Sequence, residues 1–381
     1  MNTNKKLNLL AWALSASAAF VATPGQAFDL TGKSYVQYGD AQSYSLPILA
    51  IQDGCTNPGC AYYVASSPGA IKGLTVLGTG SGGQQVISNF NGMDNAYSTP
   101  NGTNSAPYWA PSAATSNGTQ GTVQHNGANT WDSSLSALQT YLAGQSMIFF
   151  FNNNQTSSGG AFDQSLAAWA QITVKDASGA AIGIYDLTNR GTTAGVGGKY
   201  APVTAGGGGT FNGNVANYTS SGAGPVAGNR ASTDYVLSGG QICLDSTGQV
   251  PVDCATPGAS APINHNLGAN QAAYAILFPE LNAQLNSLFG TLSSAQLANY
   301  TMSVDVRLGC DPATLGGPNG PICNGGVGGD YGRDLNSGYE QIFISTARDV
   351  VNTPVPEPGT LALVGMALFA LGRARRRSVA R

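Results

Sequence analysis

Across the central three hundred residues the chain offers almost no long periodic segment. Its apolar residues come in short β-branched or aromatic runs, each closed within a few positions by Gly, Pro or Asn. Runs of this length between turn formers fold as strands, because a helix needs ten or more residues with an apolar stripe every three to four. Residues 34–38, 61–64, 74–77 and 85–90 read as strands, with no helix-forming run between them, and 98–129 reads as a long Gly/Ser/Thr/Asn-rich surface loop. At Asp132 the period changes. Asp132 is placed to cap a helix carrying Leu135, Leu138, Tyr141 and Leu142 at three- and four-residue spacing, ended by Gly144. The run Ser-Met-Ile-Phe-Phe-Phe at 146–151 is short and wholly apolar, as expected of a strand buried on both faces.

Further along, 167–175 and 181–187 flank Asp176-Ala177-Ser178-Gly179 as a strand, turn and strand. Residues 191–229 carry so few apolar side chains that burial does not offset the entropy of ordering them, and they read as a flexible loop or linker. Residues 235–237 resume the strands, 272–289 read as a helix broken at Pro279, and 300–308 and 338–345 read as strands. No repeat of fixed period stands out, which argues against a solenoid or propeller. The expected fold is mainly β: an antiparallel β-sandwich or jelly-roll-like body with one or two short helices.

Composition fits export. Charged residues make up 9% of the chain, against roughly 25% in an ordinary soluble domain. Of the 16 Lys and Arg, Lys5, Lys6 and five C-terminal Arg lie at the ends, leaving 9 in residues 28–353; of the 19 acidic residues, all but Glu357 lie in that body, leaving 18 and a net charge near −9. Such a surface repels phosphate, so nucleic acid is excluded as a partner class. At the N-terminus, Lys5 and Lys6 precede an apolar run to Val21, then Pro24 and Gly25-Gln26-Ala27 with small residues where signal peptidase reads. Residues 1–27 are therefore expected to be a secretory signal peptide cut after Ala27.

The C-terminus has three parts in order: Pro356-Glu357-Pro358, an uncharged apolar block from Thr360 to Leu371, and Arg373, Arg375, Arg376 and Arg377. An apolar helix closed by cationic residues is held in a membrane with its Arg on the cytoplasmic side, although this block is short for a span. The order resembles the PEP-CTERM sorting signal of exported bacterial proteins. That resemblance implies an exported surface protein of a Gram-negative-type bacterium, recognised by an exosortase, anchored transiently in the inner membrane through residues 354–381 and processed near Pro356-Glu357-Pro358.

Six cysteines fall as Cys55 with Cys60, Cys243 with Cys254, and Cys310 with Cys323. Fifteen connectivities exist, and in an oxidising compartment nearest-neighbour closure is the simplest. No thiolate spacing suits zinc. Gly78-Thr79-Gly80-Ser81-Gly82-Gly83 matches a dinucleotide fingerprint but lacks the acidic residue about twenty positions on, so it reads as a glycine turn. Gly32-Lys33-Ser34 lacks the first Gly of a phosphate loop. His125 and His265, the two histidines, lie among polar residues and read as solvated, and no nucleophile elbow occurs. Glu280 and Glu340 are the two glutamates of the body, and nothing in their placement sets either against an Asp for glycoside hydrolysis. Asp330, Asp334, Asn336 and Glu340 fail the EF-hand register but leave a loop-oxygen calcium site as a candidate; no other cofactor is expected.

These readings make the body, residues 28–353, a non-enzymatic structural protein of the cell surface or extracellular matrix. Two alternatives remain. A carbohydrate-binding adhesin taking extracellular polysaccharide predicts that Tyr62, Tyr63, Tyr108, Trp109 and Trp131 form an exposed strip, whereas the structural reading predicts them buried. An extracellular hydrolase predicts two facing carboxylates in a cleft.

Overall fold

The apolar run at 146–151 lies where its lack of polar alternation requires, at the middle of a sheet covered on both faces. The computed structural model describes residues 28–55, 59–80, 87–99, 108–109, 111, 130–154, 166–187, 204–205, 236–238, 241–248, 251–252, 257–309 and 339–346. Its strands are β1 (Val36–Tyr38), β2 (Ala41–Ser45), β3 (Thr75–Thr79), β4 (Tyr97–Ser98), β5 (Tyr108–Trp109), β6 (Trp131–Ser134), β7 (Met147–Asn152), β8 (Leu166–Lys175) and β9 (Ala181–Leu187). They continue as β10 (Thr204–Ala205), β11 (Val236–Ser238), β12 (Gln241–Leu244), β13 (Pro251–Val252), β14 (Ile263–Asn264), β15 (Tyr274–Leu277), β16 (Thr301–Gly309) and β17 (Gln341–Thr346). Four α-helices are described: α1 (Leu46–Gln52), α2 (Leu135–Leu142), α3 (Pro279–Thr291) and α4 (Ser294–Leu297).

The protein is mainly β. One sheet runs β10-β1-β2-β15-β7-β17-β3-β4, antiparallel throughout except for the β3–β4 pair. The second runs β11-β8-β16-β5, with β6 also on β16 and β9 also on β8, and β12 carries a small sheet with β13 and β14. Among the described residues neither large sheet closes on itself.

Alternation along β7 divides the core. Met147, Phe149 and Phe151 join Ile342 and Ile344 of β17 in an apolar cluster that also takes Ile172 of β8 and Met302, Val304, Val306 and Leu308 of β16, so both large sheets feed it. Ile148 and Phe150 turn the other way, with Phe343, into a second cluster covered by Leu46 and Leu49 of α1 and by Phe28 and Tyr62. Phe150 and Phe343 stack at 5.4 Å, and Phe28 meets Phe150 edge-on at the same distance. Burying both faces removes each Phe of the run from water, about 1.5–3 kcal/mol apiece.

Several elements differ from expectation. Residues 61–64 form a turn rather than a strand, since Tyr63 N bonds back to Cys60 O. Helix α1 was not expected; Ser45 caps it, its Oγ accepting from Ile48 N, and Pro47 stands in its first turn where no amide partner is required. Asp132 does not cap α2. It lies in β6, and Ser134 is the cap, accepting from Ala137 N. The stretch 272–289 is not a broken helix: β15 occupies the middle of the first sheet between β2 and β7, and Pro279 opens α3. Within the expected surface loop, β5 pairs with β16 and buries Trp109; within the expected linker, β10 pairs with β1. The rest of 191–229 lies outside the described residues. No described helix is long and apolar enough to cross a membrane, and the expected signal peptide and tail helix lie outside the described residues.

Candidate functional site

A surface groove opens where residues 90–92 cross the first turns of α2. Gly92 has φ +89°, and a Cβ there would meet Ser134 Oγ at 2.9 Å and the Ala137 Cβ at 3.0 Å, so glycine permits the close approach. The crossing leaves Phe90 45% exposed beside Tyr141, ring centroids 5.3 Å apart. Asn91, Ser136, Thr140 and Ala298 complete the lining. Tyr141 is held by its hydroxyl, which donates to Ile344 O at 2.7 Å. An aromatic floor between hydroxyl and amide groups suits a small polar ligand with an apolar face, such as a sugar ring.

Directly after this crossing the chain buries two carboxyl groups. Met93 bridges Ser133, Asp94 N donates to Asp132 O at 2.8 Å, and Asp132 N donates to Asp94 Oδ2 at 3.0 Å. Trp131 Nε1 closes the arrangement on Asp94 O at 3.0 Å. Both aspartates are fully buried. Burial pushes the Asp94 carboxyl up to about 7, the Asp132 charge adding to the rise and the Asp132 amide opposing it. In the sequence Asp132 reads as a helix cap and Asp94 has no partner in view, because their meeting depends on a pairing between segments some forty positions apart.

Elsewhere the sequence candidates separate. His265 is fully buried, not solvated: its Nδ1 donates to Ile263 O at 3.1 Å, and Nε2 accepts from the Ser45 hydroxyl at 2.6 Å. Burial lowers its pKa to about 4, so the ring is neutral, and it stacks on Tyr274 at 5.3 Å. A serine and an imidazole in contact form two parts of a nucleophilic triad, but here the orienting group is a carbonyl and the serine oxygen already caps α1, which makes the pair a structural brace. Glu340 is likewise buried, accepting from Asn154 N at 2.8 Å, whereas Glu280 is exposed in the first turn of α3. Asp330, Asp334, Asn336 and His125 lie outside the described residues. Gly78 and Thr79 belong to β3 rather than to a turn; a Cβ on Gly78 would come within 3.2 Å of the Trp109 ring, so this glycine makes room for an indole.

Of the aromatics proposed for sugar stacking, Tyr62, Trp109 and Trp131 are buried and Tyr63 is half-buried. Cys55 and Cys60 form a disulfide, and Cys243 is also disulfide-bonded. Cys254, Cys310, Cys323 and the tail residues Pro356 to Arg377 lie outside the described residues, as does Ala27.

Comparison with known families gives two matches. The family model described as "Domain of unknown function (DUF8239)" matches residues 27–307, and the PEP-CTERM protein-sorting motif matches residues 354–377. No curated protein and no solved structure matches the chain.

Proposed function

The chain belongs to the family described as "Domain of unknown function (DUF8239)" and ends in a PEP-CTERM sorting motif, and from this premise we propose that it is a structural component of the bacterial cell surface or matrix. The motif implies exosortase processing and an exported, surface-directed protein. In this reading signal peptidase removes residues 1–27, and the tail anchors residues 28–353 at the inner membrane until the exosortase acts near Pro356-Glu357-Pro358. The two large sheets pack as a sandwich. The observation that carries the structural role is the burial of Tyr62, Trp109 and Trp131, the aromatics an adhesin would display. The body acts by persisting and assembling rather than by turnover.

A second reading, glycan binding, is favoured by one specific feature, the Phe90–Tyr141 floor of the groove. Intact mass of the protein from its native surface, beside the same protein from a host without exosortase, tests the sorting. A native mass ending near residues 354–358 supports it, and an uncut chain through Arg381 in native membranes refutes it. Glycan-array binding by the purified body that disappears in Phe90→Ala would move the assignment to an adhesin.

A further inference from the structure

The Asp94–Asp132 arrangement is unusual in what it leaves without a partner. Asp94 Oδ1 and both carboxyl oxygens of Asp132 are buried without a hydrogen-bond partner of good geometry, the Tyr97 hydroxyl beside Asp94 is the one side chain that eases its charge, and no described Lys or Arg pairs with either residue. A third side chain shares the condition independently: Ser303 Oγ, in a residue 1% exposed, has no partner either. Ser303 is the cross-strand partner of Asp132 in the β6–β16 ladder, so both side chains rise from the same face of the sheet, about 5 Å apart at Cβ. Buried carboxylates with so few donors are costly, and protein interiors offset that cost by pairing, by protonation or by coordinating a metal.

The donor set decides among the metals. It is oxygen throughout, two carboxylates and a hydroxyl, with no imidazole or thiolate, which selects a hard cation over zinc or copper. Magnesium holds several of its waters and demands a near-octahedral shell, a poor match to a closed site whose residues are 0–1% exposed. Calcium accepts bidentate carboxylates and irregular geometry.

We propose that Asp94, Asp132 and Ser303 form a calcium site that ties residues 93–95 to the second sheet. The ion neutralises the carboxylate pair and fixes the segment that leads out of the groove at Phe90–Gly92. None of its ligands is among the residues Asp330, Asp334, Asn336 and Glu340 that the sequence offers for calcium. The competing arrangement, a proton shared between the two carboxyls, predicts no dependence on calcium.

The experiment uses the full processed chain, stripped with EDTA and titrated with calcium, magnesium and terbium. Calcium is expected to bind with Kd about 0.1–1 mM, in the range of extracellular modules. Terbium is expected to show indole-sensitised emission from Trp131, displaced by calcium and not by equimolar magnesium. Asp132→Asn is expected to lose one bound calcium per chain and at least tenfold of that emission, and Ser303→Ala to weaken calcium severalfold. Unchanged calcium stoichiometry and emission in a folded Asp132→Asn would overturn the proposal. Should that variant not fold, the wild type and Ser303→Ala decide: absence of sensitised emission in the first, or identical calcium affinity in the second, overturns it equally.

Discussion

Replacing Glu340 by Gln should stabilise the protein increasingly as pH rises. Glu340 precedes β17 and is fully buried; Oε2 accepts from Asn154 N at 2.8 Å, Oε1 has no partner, and Thr99 Oγ1 donates to its carbonyl at 2.8 Å. Burial pushes the carboxyl up to about 8 from its ordinary 4.5, the Asn154 amide only partly opposing the rise. The folded chain therefore binds a proton that the unfolded chain releases. With a folded pKa above the unfolded one, this group's contribution is fully present below pH 4.5 and is lost as pH climbs towards 8. At 1.36 kcal/mol per pH unit, the loss between pH 4.5 and pH 7 is on the order of 3 kcal/mol. Glutamine keeps a carbonyl for the Asn154 amide and never ionises. Urea unfolding followed by tryptophan fluorescence, in EDTA from pH 5 to 8.5, gives the difference between variant and wild type. Asp94 and His265 titrate in both proteins and cancel in that difference. A difference that stays constant with pH would refute the reasoning, because a Glu340 that titrates alike in the folded and unfolded chain could not produce the slope.

Two further substitutions test the braces of the fold. Ser45→Ala removes the cap of α1 and strands the buried Nε2 of His265, and should cost about 2–3 kcal/mol, read as a lowered thermal midpoint. Removing the Cys55–Cys60 bridge with Cys55→Ser and Cys60→Ser together opens a very short loop, so the loss should be modest, about 2 kcal/mol in guanidinium unfolding.

The elements that could be read from the sequence are those whose pattern is local. The apolar run became β7 because only a strand covered on both faces tolerates five consecutive large side chains, and the alternation of Met302, Val304, Val306 and Leu308 became the inward face of β16. The turn at Asp176 formed as its residues dictate, Asp176 Oδ1 accepting from Ser178 N at 2.8 Å and Gly179 N returning to Asp176 O at 3.0 Å. Residues 272–277 failed the same kind of reading. Ala-Ala-Tyr-Ala-Ile-Leu has good helix formers, yet the edges offered by β2 and β7 outweigh a preference of a few tenths of a kcal/mol per residue. His265 misled for a related reason: its Asn neighbours are polar, but in extended chain Asn264 faces out while Ile263 and His265 face in. A polar flank says nothing about a residue one step away on the other side of a strand.

The candidate site lay beyond such reading because it is made of charges in a chain that has few. Asp94, Asp132, Asp186 and Glu340 are all fully buried in a protein with 9% charged residues, so solubility does not account for their positions. Asp186 has Gln171 Nε2 on its carboxylate at 2.8 Å, whereas Glu340 and the Asp94–Asp132 pair need something from solution. They need opposite things. A proton held by Glu340 is lost as pH rises, while a cation held by the pair binds the deprotonated carboxylates and is favoured by the same rise. Raising pH with calcium present should therefore tighten the region around Met93 as it loosens the start of β17, and in EDTA both should loosen together. Amide exchange measured on these two segments under the two conditions separates a metal-held pair from a proton-held one without any substitution.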